Sequence, residues 1–142
     1  TDLGAVATVE QYRLFYRYQH SRHGGGEMAA MSFNDYRAMV EDTPVETRMV
    51  EFRDPAGALV GAMLCDRMED SFSAVYSFFE PDMISRSLGT FMVLWLVEQA
   101  VKQGLSHVYL GYWINGSNKM SYKARFQPLE QLLDNSWRSL SE

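Results

Sequence analysis

The chain has 142 residues, is 46% hydrophobic and 13% aromatic, and carries a net charge of −5. That is the size of one domain with an ordinary packed core, and the acidic balance argues against a protein that binds nucleic acid through overall positive charge. The longest apolar stretch, 91–97, is far shorter than the ~20 residues that span a bilayer, and the opening TDLGAVATVE has neither the basic start nor the apolar run of a signal peptide.

In chain order, Thr8 is placed to cap a helix running to about Arg22, with Glu10 in its first turn. Arg13, Arg17 and His20 share one face of it, and Gly24, Gly25 and Gly26 end it. Ser32 caps a second helix over 33–41, closed by Pro44. A strand over 46–53, the turn Asp54-Pro55-Ala56-Gly57 and a return strand over 58–65 form a hairpin. A second turn at 68–70 leads into an aromatic strand over 71–79, which Pro81 ends.

The strongest helix covers 88–102, with Leu88, Phe91, Trp95 and the series Leu94, Val97 and Val101 expected to face the core, and Gly104 terminating it. A strand is expected over 106–114, a short helix over 129–134 and a last strand over 137–140. The first three strands should form an antiparallel meander. The fourth follows a helical crossover and should lie parallel to the third. No internal repeat, low-complexity tract or domain boundary interrupts 1–142. The Thr1 start suggests a processed chain or a fragment of a longer protein.

The most informative run is YLGYWINGSNKMSYKARFQP, 109–128. Gly111 inside a strand pattern marks a bulge or a close backbone approach. Behind it stand Lys119, Tyr122, Lys123 and Arg125, and no acid occurs between Gln99 and Leu129. A second acid-free stretch, 11–26, holds Arg13, Arg17 and Arg22 with His20 and His23. Local basic patches on an acidic chain suit an anionic partner, and solvated surface faces are the competing reading. The histidines do not make a metal set, since His20 and His23 lack a third ligand, and no metal or cofactor is expected. Cys65, the only cysteine, excludes an internal disulfide and reads as a buried, inert thiol, consistent with a cytosolic, cytoplasmic protein.

The order of elements resembles an acetyltransferase-type (GNAT) core, an α/β fold with a mixed sheet flanked by helices. In that fold the third and fourth strands here would splay apart, with an acyl donor in the gap and its phosphate against the helix start SRSLGT. The glycine-rich phosphate loop of coenzyme A users is represented only by Gly89. Three segments, YRLFYRYQHSRHG, AVYSFFEPDMISRSLGT and YLGYWINGSNKMSYKARFQP, carry a closer resemblance. Together they resemble the C-terminal catalytic domain of the aminoacyl-tRNA–protein transferases, the arginyltransferase family, whose bacterial branch comprises the aspartate/glutamate leucyltransferases. The family's cysteine-bearing N-terminal region has no counterpart here, which suggests an isolated C-terminal domain. Ser117 stands where the family commonly has cysteine.

That resemblance implies attack by a protein's N-terminal amine on the aminoacyl ester of a charged tRNA, with leucine as donor and proteins beginning with Asp or Glu as acceptors. The partners implied are therefore aminoacyl-tRNA and proteins with acidic N-termini, in the N-degron route to protein degradation. Arg17, Tyr18 and Gln19 match a family segment and would hold the acceptor carboxylate. Asp82 would act as base or bind the amine. Tyr109, Tyr112 and Tyr122 would stack on the terminal base or orient the amine. Ser87, Leu88 and Gly89 would present helix-start amides. Lys119, Lys123 and Arg125 would meet phosphates or a carboxylate, Lys119 foremost. An arginyl donor, a coenzyme A-dependent N-acyltransferase and a non-catalytic module that recognises acidic N-termini are the alternatives.

Overall fold

The computed structural model describes residues 1–22 and 24–140, with backbone alone at 84 and 85. The elements are α1 (Val9–Arg22), α2 (Phe33–Glu41), β1 (Glu46–Arg53), β2 (Leu59–Arg67), β3 (Ser71–Phe79), α3 (Leu88–Lys102), β4 (His107–Tyr109), β5 (Glu130–Leu133) and β6 (Ser136–Ser139). They fall into two compact units, Thr1–Tyr109 and Leu110–Glu142.

In the first unit a four-stranded sheet runs in the order β1-β2-β3-β4. The first three strands are an antiparallel meander, and β4 joins β3 in parallel at Ser71, Phe72 and Ser73. This is the expected topology. The β4 ladder then stops at Tyr109, so residues 74–79 of β3 run on beyond it. β3 also carries a bulge. Leu64 pairs with Tyr76 while Cys65 pairs with Ala74, leaving Val75 as the extra residue. On the far side, residues 1–4 lie along β1. Leu3 donates to the Met49 carbonyl at 3.0 Å and Met49 donates to that of Gly4 at 2.7 Å, which covers part of an otherwise open edge.

Pairing parity sorts the side chains. Thr47, Met49, Glu51, Ala62, Leu64, Tyr76 and Phe78 share the face under α1 and α2. There Phe15 of α1 and Tyr36 of α2 meet the Phe78 ring at 5.5 and 6.2 Å. Gln11, Leu14, Phe15, Tyr18 and Gln19, spaced i, i+3, i+4, i+7 and i+8, are the buried stripe of α1. Both helix starts have reciprocal caps. Thr8 Oγ1 accepts from Gln11 N at 3.1 Å while Thr8 N donates to Gln11 Oε1 at 3.1 Å, and Ser32 and Asp35 do the same for α2. Gln11 continues inward, donating from Nε2 to the buried Glu51 at 2.9 Å and accepting from Tyr36 Oη at 3.1 Å. The amide thus keeps a buried carboxylate and a buried phenol hydrogen-bonded.

The opposite face belongs to α3. Phe52 is met edge-on by Phe91 at 5.9 Å and Trp95 at 5.4 Å, and Gly61 leaves room for the Met92 sulfur. The buried side of α3 is Met92, Val93, Leu96 and Ala100. The expected inward series is corrected here: Leu94, Val97 and Val101, with Phe91, are exposed. Apolar residues ring this helix, so periodicity alone could not choose its inner face.

Two further expectations are corrected. The strand expected over 106–114 ends at Tyr109, because Gly111 sits at φ +74°, outside strand geometry. The helix expected over 129–134 is instead β5 of a hairpin with β6, which forms the two-stranded sheet of the second unit. Asp134 and Asn135, at φ 48° and 62°, provide the left-handed two-residue turn that closes such hairpins.

Candidate functional site

The C-terminal half of α1 carries the first group of candidate residues, all within the first unit. Arg17 is exposed, and its guanidinium meets Glu80 at 2.8 Å. Tyr18 is buried against Phe79, ring edge to ring at 5.1 Å, with the Arg22 guanidinium 5.6 Å from its centroid and 5.5 Å from that of Phe79. Gln19 is fully buried, and its amide donates to the Tyr76 hydroxyl. Burial pushes the Tyr76 phenol up to about 12, against the lowering effect of the Gln19 contact. The phenol is therefore protonated at neutral pH and positioned by a fixed amide.

Beside Arg17 a groove of about 300 Å³ has a floor of Leu14, Leu59, Val60 and Met83, with Glu10, Arg13, Arg17, Asp54 and Glu80 among its walls. Its charges are mostly committed to one another or to backbone. Glu10 is held by Arg53 at 2.8 Å, which keeps its carboxyl below the usual range. Asp54 accepts from the Ala58 amide at 2.9 Å. Arg13 is exposed and has no ion-pair partner among the described residues. The groove thus offers an uncommitted guanidinium, and a second one in a solvent-exposed pair that a competing carboxylate can open. Sequence reading had placed Arg13 and Arg17 on one face. It missed Glu80, which is 63 residues from Arg17 and reaches it only through the fold.

Asp82 is exposed in the 3-10 turn Pro81–Arg86. Ser87 precedes α3 in the left-handed region at φ 51°, and its side chain makes no capping hydrogen bond among the described residues. The first-turn amides of α3 are thus left without that side-chain partner, the condition under which a helix start receives an anion. At Gly89 an added Cβ would meet only the Phe79 ring, at an ordinary 3.6 Å. Tyr109 ends β4 with its ring 6.2 Å from that of His107.

The second unit holds the basic aromatic segment. Lys123 Nζ donates to the Leu110 carbonyl at 2.7 Å and to the Tyr112 carbonyl at 2.9 Å. Two of its three donors thus fold the loop after Leu110 back on itself, and burial lowers its pKa. Tyr122 is half-buried, edge to face with Phe126 at 6.2 Å. Tyr112 is 92% exposed, and Lys119 and Arg125 are exposed. Among the described residues no three His, Cys, Asp or Glu are grouped to hold a metal ion. His23 lies outside the described residues. No helix among them is long and apolar enough to cross a membrane.

A three-strand meander, a crossover helix and a short fourth strand parallel to the third define a GNAT-type acyltransferase fold. Solved structures agree. An acyl-CoA N-acyltransferase-type protein of Klebsiella pneumoniae superposes with a TM-score of 0.60 at 13% identity, covering 94% of this chain and 85% of its own. A Trypanosoma brucei acetyltransferase gives 0.54 at 17% identity, covering 94% and 96%.

Residues 10–133 match the family model described as arginine-tRNA-protein transferase, C terminus, and the chain belongs to that family. Similar curated proteins include the aspartate/glutamate leucyltransferase of Paramagnetospirillum magneticum, 63% identical over 94% of this chain and 55% of the relative. That of Rhodospirillum rubrum is 54% identical over 97% of this chain and 56% of the relative. The chain therefore spans about half the length of the curated relatives it matches.

Proposed function

We propose that 1–142 is a catalytic domain that transfers leucine from leucyl-tRNA to the N-terminal amine of proteins beginning with Asp or Glu, in the cytoplasm. The observation that carries this reading is the 63% identity, over nearly the whole chain, to a protein called an aspartate/glutamate leucyltransferase. The groove beside α1 supports the acceptor side of the proposal. Arg17, helped by Arg13, takes the acceptor's side-chain carboxylate in place of Glu80. Tyr18 and Gln19 hold that helix face and the Tyr76 hydroxyl in position.

The amine attacks the ester carbonyl, a C–N bond forms, and the C–O bond to the tRNA ribose breaks. The amine must first be neutral. Its ordinary pKa is about 7.7–8.0, so a weak base such as Asp82 suffices, and the released ribose oxygen takes up a proton. Because the ester is already activated, most of the acceleration comes from placing the two reactants together. For the charged tRNA, the first unit offers the backbone amides of Ser87, Leu88 and Gly89 and the Tyr109 ring; the second unit, taken by itself, offers the charges of Lys119, Lys123 and Arg125 and the rings of Tyr112 and Tyr122 for stacking or orientation. No cofactor is required by this chemistry.

The description of the matching family favours arginine as an alternative donor. One experiment addresses both readings: transfer of labelled leucine and labelled arginine from charged tRNA to peptides starting with Asp, Glu or Ala. Leucine transfer to Asp and Glu peptides alone is expected. Arginine transfer would reassign the donor, and equal use of Ala peptides would remove the acceptor rule.

A further inference from the structure

Two sides of α3 are apolar. One, formed by Met92, Val93, Leu96 and Ala100, is buried against the sheet. The other consists of Phe91, Leu94, Val97 and Val101, which remain 52%, 53%, 39% and 73% exposed. Spacings of three, three and four residues place these four on a single stripe along the helix. The charged residues of α3, Glu98 and Lys102, lie beside Phe91 at one edge of the stripe and neutralise each other in a pair at 2.6 Å. Phe91 also rests edge-on against the half-buried Phe52, so the stripe is an outward continuation of the sheet's aromatic layer. A helix that is apolar all round belongs between two packed neighbours, and a contiguous run of large exposed apolar side chains marks an interaction surface.

We propose that this stripe is an interface, and that its occupant is the part of the polypeptide that the curated relatives carry outside the region matched here. Two findings select that occupant. The relatives are nearly twice as long, this chain covering 53–56% of those from Granulibacter bethesdensis, Paramagnetospirillum magneticum and Rhodospirillum rubrum. The matching family model is that of a C terminus, so those relatives hold substantial chain ahead of it. A covalently attached neighbour is present at high effective concentration, which lets a helix keep a largely apolar outer face without remaining exposed. The inference is independent of which reaction the chain catalyses.

Thiol labelling tests it. Cys65 is buried, and burial pushes its thiol up to about 12, so the native cysteine stays silent at neutral pH. Leu94→Cys, Val101→Cys and, as an exposed reference on α2, Asn34→Cys are made in this chain. The same three are made in this chain joined to the remaining part of the Paramagnetospirillum magneticum relative. Labelling is read at the introduced position by mass spectrometry. At least tenfold slower labelling at 94 and 101 in the joined chain, with no change at 34, is expected. Equal rates at 94 and 101 in the two forms overturn the proposal. So does slowing in the unjoined chain that grows with its concentration, which assigns the stripe to a second copy. Should the joined chain not fold, cysteines at the aligned positions of the intact relative replace it, and native labelling as fast as in denaturant overturns the proposal.

Discussion

Arg17, proposed to take the acceptor carboxylate, contributes little to stability. Its pair with Glu80 has a guanidinium side chain that is 51% exposed, and such pairs are worth about 0–1 kcal/mol. In the proposed reaction a carboxylate brought by an acceptor meets the same guanidinium in the groove lined by Leu14, Leu59 and Val60. There a charge-assisted hydrogen bond is worth roughly 1.5–3 kcal/mol. Arg17→Ala is therefore expected to move the denaturation midpoint by the equivalent of less than about 1 kcal/mol. It should lower kcat/KM for Asp- and Glu-starting peptides by about ten- to a hundredfold. Peptide kinetics and urea unfolding on the same preparation check both. A large stability loss with unchanged kinetics would make Arg17 a structural residue. Part of this residue's placement was legible in advance, because helical spacing puts Arg13 and Arg17 together on one face, away from the buried Leu14, Phe15 and Tyr18. Glu80 was not, since no local pattern links the end of β3 to the middle of α1.

Among the elements, α1 is the one whose ends and inner face follow most directly from sequence. Its cap can be tested without touching the groove. Thr8→Ala removes the Oγ1 acceptor for the Gln11 backbone amide and leaves the Gln11 side chain, which bridges the residue-8 backbone amide, Tyr36 and Glu51, with all its partners. The cap alone predicts a loss of about 1 kcal/mol, within a range of roughly 0.5–2. A value at the upper end in urea unfolding would show that the buried Gln11 network loosens with it, and Thr8→Ser should recover most of the loss. α3 gives the opposite lesson. Its limits are readable from its apolar run and Gly104, yet its inner face is not, because Leu94, Val97 and Val101 are as apolar as Met92, Val93 and Leu96. At 106–114 the apolar alternation pointed to a long strand, and one glycine in the left-handed region overrode it. At 129–134 a short leucine-containing run was ambiguous between helix and strand, and the turn chemistry of Asp134 and Asn135 was the available signal for a hairpin.

The whole chain divides its work unevenly. All buried members of the hydrophobic cluster lie between Leu14 and Ala100, and the four-stranded sheet is complete by Tyr109. The unit Leu110–Glu142 has a two-stranded hairpin, and Lys123 ties the Leu110 and Tyr112 carbonyls within it. A lone two-stranded hairpin is marginally stable in water, whereas a multi-stranded sheet packed against helices is a cooperative structure. A chain ending at residue 109 is therefore expected to unfold in one cooperative urea transition, with a slope smaller than that of 1–142 in proportion to the surface it exposes. It should retain the buried, unreactive Cys65. It should also lose the proposed aminoacyl transfer, because Tyr112, Lys119, Tyr122, Lys123 and Arg125, proposed to meet the charged tRNA, go with the removed segment. Circular dichroism through the transition and the transfer assay on the same sample check the two halves. A non-cooperative transition would mean that the sheet depends on the second unit for its stability. Full transfer by the shortened chain would mean that the basic aromatic segment does not meet the charged tRNA, leaving the groove beside α1 and the start of α3 to hold both substrates.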